Sequence, residues 1–202
     1  MVKYEINGIT KQLGALRTGI SSFQMDKFTQ QNIGFRIKKP SGRTVVAIVS
    51  VKQTIAKALA HIDKRCASQR RCNAYFQTLN TQKPISLRQI LDRKTLYIFR
   101  LKPLRGATLK KIPEGYCYSW GSNWAQIGLN DLAFALGYME VAHTLLHELA
   151  HVAGAPGLRQ DPKSLAAETA TLHCGMRKYF DPKAFGALDP VPVPEDARTA
   201  LA

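Results

Sequence analysis

The sequence predicts a fold of mixed strands and helices, on three observations. Two β-branched or aromatic runs, Thr44–Ser50 and Thr95–Leu101, read as strands. Val51–Asp63 carries Ile55, Leu59 and Ile62 at helical spacing. Tyr138–Ala153 is a longer helical pattern, in which Leu145, Leu146, Leu149 and Val152 make an apolar stripe beside His147 and His151. At 202 residues and 45% hydrophobic content, the chain suits one domain with a real core, or one domain with a small appendage.

The elements follow in order. Tyr4, Ile6 and Ile9 alternate around Asn7-Gly8, the pattern of a short hairpin. Ser21–Gln31 is polar and suits a helix or a loop. Phe35–Lys39 and Thr44–Ser50 are two strands around the turn Pro40–Arg43, and the helix Val51–Asp63 comes next. Lys64–Lys83 is expected to be irregular. Ser86 caps a short helix that runs to Arg93. Thr95–Leu101 is a strand and Ala107–Ile112 another. Pro113–Asn123 is an aromatic-rich loop or twisted hairpin, and Trp124–Asn130 is a short strand. Asn130 or Asp131 caps a helical stretch to Leu136, which Gly137 interrupts. The long helix stops at Gly154, and Pro156 bars its continuation. Ser164 caps a second helix, from Leu165 to about Tyr179. By this reading residues 1–105 form an N-terminal portion of unknown role, continuous with a core over 106–188, and 189–202 form an extended tail.

Lysine and arginine exceed aspartate and glutamate by 29 to 14, a net charge of +15. This permits binding to nucleic acid, an anionic envelope polymer, a membrane surface or an acidic protein, and does not choose among them. The charges are spread over Lys38–Arg43, Lys64–Arg71, Arg88–Lys94 and Arg100–Lys111. No apolar run approaches the roughly 20 residues that span a bilayer. The first residues lack the apolar core of a signal peptide. The expectation is a cytoplasmic chain, one exported by a route that reads no such signal, or one trimmed from something longer. None of Cys66, Cys72, Cys117 and Cys174 forms a CxxC pair, so a structural zinc ribbon is not expected. Cys66 could pair with Cys72 and Cys117 with Cys174, or all four could be reduced thiols.

His147-Glu148-Leu149-Ala150-His151 is an HExxH motif. Residues four apart on a helix share a face, so the two imidazoles can grip one metal ion. Glu148 is displaced sideways, where a carboxylate reaches a water held on that metal. The motif reads as two zinc ligands, His147 and His151, plus a general base, Glu148. A catalytic zinc takes three protein ligands and one open position. Glu168 is the leading third ligand, on a second helix whose neighbours Ala166, Ala167 and Ala170 permit close packing. Asp161, ten residues past His151, is the alternative, and His173 could replace Glu168 or hydrogen-bond substrate. His143 completes a ladder with His147 and His151. It suits a cleft-lining group, an outer support of the site or a satisfied core histidine.

These residues resemble the zincin metallopeptidases, specifically the glutamate-ligand (gluzincin) branch, over about residues 120–180. The resemblance implies an α+β, zincin-like fold. In it a twisted, mostly antiparallel sheet lays an edge strand over the HExxH helix and over a second, ligand-bearing helix. Trp124–Leu129 is then the expected edge strand, and would bind an extended peptide by β-addition. The chain departs from the thermolysin pattern at Leu172, where an acid orients the first histidine. It departs from the metzincin pattern at Gly157, where a third histidine stands. The Leu-His-Glu-Leu-Ala-His-Val-Ala-Gly core also looks like those of bacterial secreted effectors and polymorphic toxins, which implies a cognate immunity protein.

The expected activity is zinc-dependent endopeptidase action on protein or peptide, possible in an effector toxin. Glu148 takes the proton of the attacking water and passes it to the leaving amine. His173, Tyr179, Tyr116 and Tyr118 are the candidates to stabilise the oxyanion. Two other readings stand beside it. A DNA-associated protease resembling the SprT-like family would suit the charge, and His173-Cys174-Gly175 resembles its His-Gly segment. A non-catalytic basic binding domain would keep the motif as a relict.

Overall fold

A computed structural model describes residues 2–7, 23–38, 44–104, 107–108, 113–157, 160–161, 165–176 and 188–191. The fold is α+β. Its main sheet is built on the nine-residue strand β5 (Thr95–Pro103). Two short strands, β1 (Lys3–Ile6) and β2 (Phe23–Asp26), lie end to end along one side of β5, on Thr95–Ile98 and Arg100–Pro103. On the other side comes β7 (Trp124–Asn130), and beyond it β6 (Gly115–Trp120). β1 and β7 run parallel to β5, β2 runs antiparallel to β5, and β6 runs antiparallel to β7.

The sheet is therefore mixed rather than mostly antiparallel. Parallel neighbours need a crossover, and the chain between β1 and β5 supplies one in its helices. These are α1 (Val51–His61), α2 (Arg70–Thr78) and α3 (Leu87–Arg93). A second correction concerns the edge. β7 is an interior strand, six of its seven residues buried, and among the described residues β6 is the edge. The aromatic-rich segment, expected as a loop or twisted hairpin, forms β6, the outer arm of an antiparallel hairpin with β7.

A separate three-stranded sheet joins β3 (Asn32–Lys38) to β4 (Thr44–Ser50) on one side and to β8 (Leu188–Val191) on the other. So part of the expected tail is a strand, with Pro190 on an outer strand, where its missing N–H is tolerated. β2 likewise stands within Ser21–Gln31, a helix or loop by sequence. The hairpin expected at Asn7-Gly8, and most of the strand Ala107–Ile112, lie outside the described residues; Ala107 and Thr108 are not in a strand.

Alternation on β5 divides the core. Leu96 and Ile98 point to the helical side, where they join Ile55, Leu59, Ile127, Leu129, Leu145, Leu146 and Leu149 in one buried cluster. Phe99 and Leu101 point the other way, into a small cluster with Phe23 and Met25 that Tyr97, Tyr116 and Tyr118 flank. Lys64–Lys83 is not irregular. It holds α2, whose Cys72 and Phe76, one helical turn apart, are fully buried. Polar residues on the other flank of that turn hide the pattern in the sequence.

α4 (Asp131–Ala135) is capped by Asn130, whose side chain accepts from the Leu132 N–H at 3.1 Å. α5 (Tyr138–Ala153) follows Gly137, and α6 (Leu165–His173) packs against α5 and α2. α6 ends well before Tyr179, in a turn at Cys174-Gly175 where Gly175 takes a φ of 76°. Side-by-side packing of α2 and α6 brings together two cysteines 102 residues apart, and Cys72 is bonded to Cys174. The pairs Cys66–Cys72 and Cys117–Cys174 are thereby corrected: Cys66 is a buried free thiol in the core, and Cys117 is free on β6. Among the described residues no helix is long and apolar enough to cross a membrane.

Candidate metal centre

α5 is a long helix with a defined stop. Gly154 takes a left-handed φ of 114°, and a Cβ there would come within 2.7 Å of the Asn80 Cβ. Only glycine meets both demands cheaply. The turn it makes sends the chain back, so that the Ala155 carbonyl accepts from Nδ1 of His151 at 3.1 Å. With the proton on Nδ1, the lone pair of His151 is on Nε2. That Nε2 lies 3.3 Å from Nε2 of His147, the rings inclined at 67°. Two ligands held about 2.0–2.1 Å from a tetrahedral zinc stand roughly 3.3 Å apart. The spacing of the two nitrogens is that of a pincer for such an ion.

Glu148 stands beside the pincer and is only 5% exposed. Burial pushes its carboxyl above the ordinary value, while His147, His151 and the backbone N–H of Cys117 oppose the shift. Room for it comes from the edge strand. Gly115 and Cys117 turn toward α5, and Tyr116 and Tyr118 turn to the opposite face. A Cβ at Gly115 would meet Thr144 Cγ2 at 2.5 Å and Glu148 Oε1 at 2.7 Å.

Glu168 is presented by α6 to the same region, its side chain 39% exposed. Its Oε1 lies 3.3 Å from Nδ1 of His147, and its Oε2 lies 3.6 Å from Nε2 of His143. It rests on the outer nitrogen of His147, not between the two facing nitrogens. Among the described residues no three His, Cys, Asp or Glu side chains are packed as a ready-made cage for an ion. Two imidazoles at ligand spacing, one of them with its second nitrogen fixed by a carbonyl, and two carboxylates beside them are a donor set that suits zinc.

The other sequence candidates are placed elsewhere. Asp161 accepts from the backbone N–H of Ala166 at 2.9 Å and so caps α6, the role expected of Ser164, which lies outside the described residues. His173 is exposed and stacks on Tyr75, ring centroids 4.4 Å apart. Tyr179 lies outside the described residues. Tyr116 packs edge-to-face on Phe23, with Tyr118 against the same cluster. Sequence reasoning missed Gly115 and Cys117, which lie against Glu148. The small–aromatic alternation Gly115-Tyr116-Cys117-Tyr118 is the signal that could have marked β6 as the strand against the motif. No protein-family model matches the chain, and no curated protein or solved structure matches it either.

Proposed function

We propose that the protein is a zinc-dependent metalloendopeptidase. The facing Nε2 atoms of His147 and His151, with a buried carboxylate one residue away, carry this reading. His147 and His151 would hold the ion, and Glu168 is the acid from the neighbouring helix that would complete the set. When bound, zinc polarises the scissile carbonyl and makes water a nucleophile near neutral pH.

The chain's own residues do the rest. Glu148 accepts the proton of the attacking water and delivers it to the leaving amine. Burial suits it to this exchange, because a carboxylate whose pKa is raised is a stronger base toward the attacking water than an exposed one. The Cys117 N–H fixes the carboxylate against the edge strand. Among the described residues the outer side of β6 carries no further strand, so an extended substrate can pair there, alongside the base. The Cys72–Cys174 bond suits an oxidising workplace, in keeping with an exported enzyme.

Incubation of the zinc-loaded protein with an unfolded polypeptide such as casein tests the reading. The parent should cleave internal bonds. Glu148→Gln should keep its zinc and lose about 10²- to 10⁴-fold in rate. Equal cleavage by the two proteins would overturn it.

A further inference from the structure

One buried group of α5 has no part in the scheme above. His143 lies one helical turn before His147 and is 3% exposed. An imidazole this deeply buried needs polar surroundings. The structure supplies them on both sides. Nε2 of His143 is 3.6 Å from Glu168 Oε2, and Nδ1 is 4.0 Å from Oε1 of Glu140, itself 1% exposed. Glu168 then continues to Nδ1 of His147 at 3.3 Å. The result is one unbroken row, Glu140–His143–Glu168–His147, which ends on the pincer. Three of its four members come from α5.

We propose that His143, backed by Glu140, is a positioning residue that holds the Glu168 carboxylate against the outer nitrogen of His147, beside the pincer. The proposal rests on the metalloenzyme reading above. The contacts at 3.6 and 4.0 Å are longer than hydrogen bonds and become ion pairs when His143 is protonated. Glu168 needs such a hold. It is the most exposed member of the row, and it sits on a short helix between exposed Leu165 and Leu172.

Zinc affinity tests the proposal, measured by competition with a chromophoric chelator on metal-free protein, without reference to turnover. His143→Phe keeps the ring's bulk and removes both nitrogens; His143→Gln keeps an amide that can face Glu168. The expected result is a loss of about 10- to 100-fold for Phe, the size typical of an outer support, with most of the affinity restored by Gln. The absorption spectrum of the cobalt-substituted Phe variant should also shift, because the carboxylate near the ion is displaced. If Phe binds zinc as tightly as the parent, or if Gln is no better than Phe, the positioning role is wrong while the metal site stands. If the parent itself fails to bind zinc, the metalloenzyme reading falls and takes the positioning role with it.

Discussion

Gly115 on the edge strand touches Glu148 on the motif helix so closely that a methyl group at Gly115 would lie 2.7 Å from the carboxylate oxygen. The same methyl would meet Thr144 at 2.5 Å. Gly115→Ala should therefore push the base away from its position and leave the imidazole pincer in place. Overpacking of this kind costs about 1–3 kcal/mol, read as a fall in the urea midpoint. On the proposed function, the cleavage rate should fall while zinc affinity changes little. An alanine variant with parental rate would show that β6 does not confine Glu148.

The carboxyl of Glu148 is raised by burial, and this has a stability consequence in the metal-free protein. A group whose folded pKa exceeds its unfolded one favours the fold while it is protonated. That contribution is present below the unfolded value, 4.5, and is lost as pH rises through the folded value. Glu148→Gln, neutral throughout, should escape the loss. The metal-free variant should match the metal-free parent in acid and exceed it near neutral pH. Chemical denaturation at a series of pH values checks this; parallel curves would contradict it.

The cysteines offer a direct count. Cys72 and Cys174 are bonded, while Cys66 and Cys117 are free. Burial pushes the Cys66 thiol up to about 11 and raises Cys117 well above its usual value. A thiol reagent at neutral pH should find almost no reactive cysteine in the native protein, two after denaturation, and four after denaturation with reductant. Loss of the cross-link should cost about 2–4 kcal/mol. It should also loosen α6, so Cys72→Ser should weaken zinc binding along with stability.

Asp131 is fully buried at the start of α4, held by two nitrogens of Arg100 from β5, one of them at 2.8 Å. Removing one partner of a buried pair strands the other charge, at a cost of about 3–5 kcal/mol. Arg100 is about one-third exposed, so the lower end applies. Arg100→Met should lower stability by about 3 kcal/mol in equilibrium denaturation. A change under 1 kcal/mol would show that water screens the pair.

The motif helix was legible because its signals are local. The four-residue repeat of His147 and His151, the leucine stripe and the Gly154 stop all act within one helix. Ser86 and Asn130 were legible for the same reason, each capping a helix within three residues of itself. The order of strands was not. Whether β7 lies inside or at the edge depends on a partner, β5, that starts 29 residues earlier, and periodicity within β7 does not carry that information. The cysteine pairing failed on the same ground, since proximity in sequence favoured Cys66 with Cys72, and helix packing chose Cys174. The placement of Glu168 is intermediate. Its helix and its approach to His147 were readable, whereas its rest on the outer nitrogen, in reach of His143, was set by packing.

X-ray absorption of the zinc-loaded protein reads the ligands of the ion themselves. One zinc per chain is expected, with two imidazole nitrogens at about 2.0–2.1 Å and the remaining ligands oxygen, including the Glu168 carboxylate. The two-imidazole signature should disappear in His151→Ala. A chain that retains no zinc, or holds it through sulfur or through a single imidazole, would rule out a centre built on His147 and His151.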